Sequence, residues 1–428
     1  MIFQPGHSLA MRLEASRLVT DNLFALVRPH ALYDRPIAER HRLIFYVGHL
    51  EAFDANLFRA TLGDVRTPSP GLDRLFAFGI DPIDGNLPSD RPADWPAARE
   101  VDTYVRETRG AIDTALAGAT TSEQFCTLLN VAIEHRLMHA ETLAYLLHNL
   151  PLASKVEVVA DPARPHPPPT FERIDIPEGK ATLGLSAGFG WDNEFAEHSV
   201  DVPAFAIDRN KVTNAAFLEF VEAGGYSAPD LWSQADWAWR SENDIRHPAF
   251  WQVRGDRWVW RGMFADLPLP PAWPVFVSHA EAAAYARWRG AALPSEPQFH
   301  RAAYGSPDGA ERAHPWGDSA PSPDRGNFNF VRWDPTAVDD HAAGASAFGV
   351  NGLVGNGWEW TSSIFSPFEN FKPFSFYPGY SADFFDGKHF VLKGGSMRTA
   401  SVFLRCSFRN WFQPHYPYVY AGFRCVYS

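Results

Sequence analysis

Cysteine is scarce. The chain has three, Cys126, Cys406 and Cys425, an odd number that leaves at least one thiol free and cannot staple a fold of 428 residues. A reducing, cytoplasmic setting is the simplest expectation. Positive charge is also in short supply: 38 Lys and Arg stand against 50 Asp and Glu, a net charge of −12. A chain of that balance lacks the long-range attraction for polyphosphate that a nucleic-acid partner requires. No run of about 18 apolar residues occurs, so no membrane-spanning helix is expected. The opening MIFQPGHSLAMRLEASRL has no apolar core of signal-peptide type behind a basic leader. Fixed-period repeats are missing too. Aromatic residues, by contrast, are plentiful, at 14% with 15 Trp and 33 Phe, which points to loop-rich packing filled by rings. With 21% charged and 46% hydrophobic residues the chain reads as globular, and its length suits two or three domains.

The two halves follow different patterns. Residues 1–157 read as a four-helix bundle. Apolar spacing predicts helices over Ser8–Val27, from Asp34-Arg-Pro-Ile onward with Pro36 in the first turn, over Ala97–Ala117, and from Ser122 to Asn149. Thr121 and Gln124 have capping-box spacing at the start of the fourth. A proline-rich linker, 158–170, follows. From 171 to 428 the chain turns rich in Gly, Trp, Phe and Asn. Short strand-like runs appear there (HSVDVPAFAID, HFVLKGG, YAGFRCVY), with one clear helix over 279–290. This half is α+β.

Histidine placement carries the chemistry. His135 and His139 are four apart on the fourth helix, so both rings project from one face, as a metal requires of two ligands on one helix. His49 lies on the second helix among Phe45, Leu50 and Phe53, where an apolar face normally excludes a titrating ring. Together they suggest a three-histidine site. Arg136 follows the first histidine where a zinc protease carries its glutamate, which argues against that chemistry. Glu141 is two residues from His139, about 200° around the helix, and faces away. His41 and His148 have no pairing partner and are expected at the surface. Three neutral imidazoles would leave a divalent metal its full charge, favouring a soft anionic ligand and then dioxygen.

At this level of detail the first half resembles a DinB-type bundle, through YVGHLEAF and EHRLMHAET. The second half resembles the formylglycine-generating-enzyme fold through seven motifs in order. They are GWDNEFAEHSVDV, KVTNAAFLEFVEAGGY, WPVFVSHAEAAAYARWRGAALPSEPQFHRAA, HPWGD, GNGWEWTSS, VLKGGS and GFR. The fused pair is similar to the non-heme iron sulfoxide synthases of ergothioneine and ovothiol biosynthesis and to the related selenoneine synthases. That resemblance implies Fe(II) held by His49, His135 and His139. It further implies dioxygen-dependent bonding of sulfur or selenium to an imidazole carbon of histidine or its trimethylbetaine, hercynine.

In SFRNWFQPHYPYVYAGFR the resemblance assigns Asn410 to the substrate carboxylate and Trp411 to the betaine, where a cation over an aromatic face is favourable. Phe412 stands where the enzymes that use γ-glutamylcysteine have an acid. Met138 stands where some members bind the imidazole with Gln. The family's tyrosine, a proton donor, corresponds to Tyr377 or Tyr380. Thr399 occupies the position of the first active-site cysteine of the formylglycine-generating enzymes, which does not support their copper chemistry. With Ser428 four residues after GFR, the methyltransferase domain of long ovothiol enzymes is not expected here. The leading expectation is therefore a selenoneine synthase with a selenosugar donor, followed closely by an ergothioneine-type enzyme using cysteine or another thiol. A DinB-like zinc-dependent thiol transferase and a purely recognitional module are the remaining readings. The sequence sets no oligomeric state.

Overall fold

The computed structural model describes residues 8–62, 65–77, 87–120, 122–158 and 166–427. The chain divides into two compact units, residues 1–159 and 160–428. In the first, the long helices are α1 (Leu9–Phe24), α2 (Leu43–Leu62), α4 (Ala98–Ala117) and α5 (Glu123–Asn149), with a short α3 (Pro70–Leu75) after α2. The α1 helix packs along α5, and α2 packs against both α4 and α5. Serine hydroxyls start two of them: Ser8 Oγ accepts from the Met11 N–H and Ser122 Oγ from the Phe125 N–H. Thr121 and residues 159–165 of the proline-rich linker lie outside the described residues.

The start of the second helix differs from expectation. Residues 34–42 form turns, and the helix begins at Leu43. Distant contacts decide this. Arg35 and Arg42 both pair with Asp90, and Arg42 Nη1 also donates to the Tyr33 carbonyl at 2.7 Å. The histidines near the helix ends also differ. From Val131 to His148 every residue of α5 is buried except the half-buried Met138 and Glu141, so His148 is enclosed rather than exposed. His41 is half-buried, its ring 4.2 Å from that of Phe45.

The register of α2 against α5 rests on a buried charge. Arg136 is fully enclosed on α5, donating to Glu51 Oε1 at 2.9 Å, Asp54 Oδ2 at 2.6 Å and the Leu50 carbonyl at 3.2 Å, all on α2. Arg109 of α4 joins the same Glu51 oxygen at 2.8 Å and reaches Asp21 of α1. One guanidinium thus ties together the two helices that carry His49, His135 and His139.

The second unit is built from short strands. Helix α6 (Asn214–Glu222) and helix α7 (Gln234–Glu242) precede α8 (His279–Trp288) and α9 (Glu296–Tyr304). Strands β1 (Arg173–Ile176), β4 (Phe205–Asp208) and β12 (Val426–Tyr427) form one sheet in the order β1-β4-β12. Strands β2 (Gly179–Leu183) and β3 (His198–Val202) pair alone, as do β5 (Trp251–Arg254), β6 (Arg257–Arg261) and β7 (Asp266–Pro268) in a meander. The fourth sheet runs β10-β9-β8-β11, from β10 (Asn410–Phe412), β9 (Phe390–Lys393), β8 (Trp358–Ile364) and β11 (Ala421–Gly422). With few long elements, buried Arg–Glu forks stitch distant segments. Arg424 grips Glu359 at 2.6 and 2.8 Å, and Arg409 grips Glu296 at 3.0 and 3.1 Å. The turn after β9 needs glycine: Gly394 has φ +97°, and a Cβ there would meet the Leu353 carbonyl oxygen at 2.4 Å.

Removing Arg136 takes the ion-pair partner from the buried Asp54 carboxylate and leaves Glu51 with Arg109 alone. Arg136→Ala is expected to destabilise the chain by about 3–5 kcal/mol. Urea unfolding followed by helical circular dichroism checks this, and a loss under about 1 kcal/mol, the range of an exposed pair, contradicts it.

Candidate functional site

The α2 and α5 helices bring three imidazoles together. His49, His135 and His139 are buried, and one ring nitrogen from each lies within 4.8 Å of the other two. Ring centroids are 5.4 Å apart for His49 and His135, 5.0 Å for His49 and His139, and 4.5 Å for His135 and His139. Among the described residues this is the one such cluster, and it contains no carboxylate; Glu141 is outside it.

Local packing fixes the tautomer of His49. Its Nδ1–H donates to the Phe76 carbonyl at 2.7 Å, which turns the Nε2 lone pair toward the other rings. Phe76 reaches that position because residue 48 is glycine: a Cβ there would meet the Phe76 ring at 2.3 Å. Phe53 stacks on His135 at 3.4 Å and Phe45 on His49 at 4.7 Å, which closes the sides of the cluster with apolar surface. His49 Nε2 and both ring nitrogens of His139 are buried with no hydrogen-bond partner among the described residues. Buried polar atoms of this kind cost stability unless something binds them. Three neutral imidazoles with nitrogen lone pairs turned inward fit a divalent transition metal.

Burial lowers the basicity of all three rings. His49 falls to about 4, and His135 and His139 fall well below the usual imidazole value. Neighbouring rings and the Arg136 cation push further in the same direction. The rings are therefore neutral and ready to ligate at pH 7. Because folding lowers these values, the stability they carry is complete above the unfolded value of 6.5 and declines as pH falls toward about 4. The metal-free chain is expected to melt at a lower temperature near pH 5 than at pH 7, with the gap narrowed in His49→Gln. Equal gaps in parent and variant contradict this.

The residues that sequence places in the substrate loop gather in the second unit. Trp411 lies flat on Phe365 at 4.2 Å and 6°, with Tyr380 edge-on at 5.4 Å and Phe384 at 5.5 Å. Tyr380 is buried and stacks on Trp191 at 3.9 Å, whereas Tyr377, 5.5 Å from it, is half-buried. Asn410, Trp411 and Phe412 form β10 at the edge of its sheet. Successive strand residues point to opposite faces, so Asn410 and Phe412 share one face and Trp411 the other. A ligand touching both Asn410 and Trp411 must straddle that edge. The Asn410 Oδ1 accepts from the Trp411 N–H at 2.9 Å, leaving the amide NH2 as its donor group. Phe412 stacks in parallel on Tyr416 at 5.3 Å. Thr399 is a buried turn residue whose Oγ1 accepts from the Ser396 N–H at 2.7 Å. All three cysteines are free thiols. Met138 is half-buried on α5, one residue before His139.

Sequence reading missed the groups that hold these side chains: Arg136, Glu51 and Asp54 in the bundle, and Asp192 and Glu194 in the second unit. Each pairs across 80 or more residues, as Arg136 with Asp54 does at a separation of 82, and no local pattern marks such a pair.

Residues 160–428 match the sulfatase-modifying factor enzyme 1-like domain. A hercynine oxygenase of Mycolicibacterium smegmatis is 37% identical over 309 residues, covering 70% of this chain and 71% of its own. One from Mycolicibacterium thermoresistibile is 42% identical over 246 residues, 56% of this chain and 54% of its own. Ergothioneine biosynthesis protein 1 of Neurospora crassa is 28% identical across 92% of this chain and 55% of its own length. The alignments thus span a little over half of two of these relatives and more than two thirds of the third. The chain belongs to the sulfatase-modifying factor enzyme 1-like family, in the sulfoxide synthase group of ergothioneine and ovothiol biosynthesis. No helix among the described residues is long and apolar enough to cross a membrane.

Proposed function

We propose that this chain is an Fe(II)- and dioxygen-dependent synthase that joins selenium or sulfur to the imidazole ring of hercynine. The observation that carries the reading is the carboxylate-free cluster of three buried, neutral histidines in a chain whose relatives are named hercynine oxygenases. In this reading His49, His135 and His139 hold the iron. When bound, the iron supplies the dioxygen chemistry, and its undiminished charge favours an anionic thiolate or selenolate beside it.

The chain's own groups then bind and orient the organic partner. The Asn410 amide donates to the hercynine carboxylate. The Trp411 ring offers a π surface to the trimethylammonium group, worth about 0.5–2 kcal/mol. A phenol on the segment carrying Tyr377 and Tyr380 holds the proton that the reaction consumes or releases. Met138 borders the imidazole.

For the chalcogen donor, the reading takes a selenosugar. Phe412, packed on Tyr416, presents an aromatic surface where an acidic residue would engage the amine of a γ-glutamyl peptide. Aromatic faces suit the apolar face of a sugar ring. Cysteine or another thiol is the second reading, favoured by relatives named for ergothioneine biosynthesis.

Aerobic incubation of the Fe(II)-loaded chain with hercynine and competing donors (a selenosugar, cysteine, γ-glutamylcysteine), read by mass spectrometry, tests the proposal. A carbon–selenium product in preference to a carbon–sulfur one is expected, and consumption of no donor contradicts it. Zinc as the purified metal with oxygen-independent activity would favour a thiol transferase instead. His135→Ala is expected to lose metal and turnover together. Asn410→Ala is expected to keep its iron while its Kd for hercynine rises about tenfold, the equivalent of about 1.4 kcal/mol. Full iron retention by His135→Ala contradicts the ligand assignment.

A further inference from the structure

Four consecutive residues, Trp191, Asp192, Asn193 and Glu194, are all buried and reach two separate segments of the second unit. Toward the tyrosine segment, the Trp191 indole stacks on Tyr380 at 3.9 Å. The Ser381 hydroxyl donates to Asp192 Oδ1, and Asn193 Nδ2 donates to Ser381 Oγ at 2.9 Å. Through Ser381, the Asp192 carboxylate thus engages the end of the segment that carries Tyr380.

Toward the strand that carries Asn410 and Trp411, Glu194 is the anchor. Its carboxylate accepts from Arg405 Nε at 2.8 Å, Arg405 Nη2 at 2.5 Å and Ser407 Oγ at 2.6 Å. The Trp191 N–H caps the same carboxylate at 2.8 Å. Asp192 engages Ser381, whereas Glu194 engages Arg405 and Ser407. Where their segments meet, Tyr380 stands edge-on to Trp411 at 5.4 Å.

We propose that Asp192 and Glu194 are positioning residues with divided duties: Asp192, through Ser381, sets the tyrosine segment for turnover, and Glu194, through Arg405 and Ser407, sets β10 for substrate binding. The inference rests on the function proposed above. Charge-assisted and buried on the Asp192 and Glu194 side, these contacts hold each segment in one geometry, and small misplacements of a reacting group cost turnover far more than affinity. Loosening the Asp192 grip should therefore slow the reaction with little effect on hercynine binding. Loosening the Glu194 grip should weaken binding first.

Hydrogen-exchange mass spectrometry on the full chain reads both segments without any need for turnover, and calorimetry with hercynine and steady-state kinetics of the iron-loaded chain read the consequences. Ser381→Ala is expected to speed exchange in 374–381 and not in 405–412. Its kcat should fall about tenfold or more while its Kd for hercynine stays within about twofold, and Ser381→Thr should restore the parent values. Glu194→Gln, or Ser407→Ala should the former fail to fold, is expected to do the reverse, with faster exchange in 405–412 and a Kd raised about tenfold. Both variants loosening both segments alike, or Ser381→Ala keeping the parent kcat, would overturn the division. A parent chain that neither binds nor consumes hercynine would sink the proposed function, and exchange in the two segments would still judge whether the grips are separate.

Discussion

A single guanidinium holds the two helices of the three-histidine cluster in register. Arg136 sits on α5 one residue after His135, and its two carboxylate partners, Glu51 and Asp54, follow His49 on α2. Sliding either helix by one turn would break those bonds and separate the rings by about 5 Å. The cost of burying a cation is offset only while both carboxylates remain in place, so the arrangement has one good geometry. Every functional consequence drawn for the bundle depends on that register, because three rings on two helices converge only if the helices meet at one setting.

The same economy recurs in the second unit, in a different material. Strands of two to seven residues cannot hold distant segments together by ladder hydrogen bonds alone. Fully or partly buried Arg–Glu forks and stacked rings do so instead: Glu194 with Arg405, Glu296 with Arg409, Glu359 with Arg424, and the run of Trp191, Tyr380, Trp411 and Phe365. The aromatic surplus of the composition is spent there. The proposed chemistry thus divides into a rigid metal-holding bundle and a clamped aromatic surface for the organic substrate.

Much of this was legible before any coordinates. The pairing of His135 with His139 follows from helical geometry, and His49 stood out as a polar residue on an apolar face. The motifs from GWDNE to GFR announced the second fold, and of the two candidate tyrosines, Tyr377 and Tyr380, the latter stands edge-on to Trp411 at 5.4 Å. What was not legible has one physical cause, which is contact at long sequence separation. Pro36 is a good first-turn residue, yet residues 34–42 are turns because Arg35 and Arg42 reach Asp90. His148 carries no signal of burial, since what encloses it is the packing of α5 within the bundle. Asp192 and Glu194 were visible in a motif, but the duties proposed for them depend on Ser381, Arg405 and Ser407, 180 or more residues away.

The central claim is that three imidazoles hold one iron. X-ray absorption at the iron edge of the Fe(II)-loaded chain tests it most directly, because imidazole rings produce characteristic outer-shell scattering that can be counted. The account predicts three imidazoles, the remaining positions filled by light-atom donors, and a loss of one imidazole in His49→Ala. A spectrum fitted by at most one imidazole, or unchanged by that substitution, would contradict it.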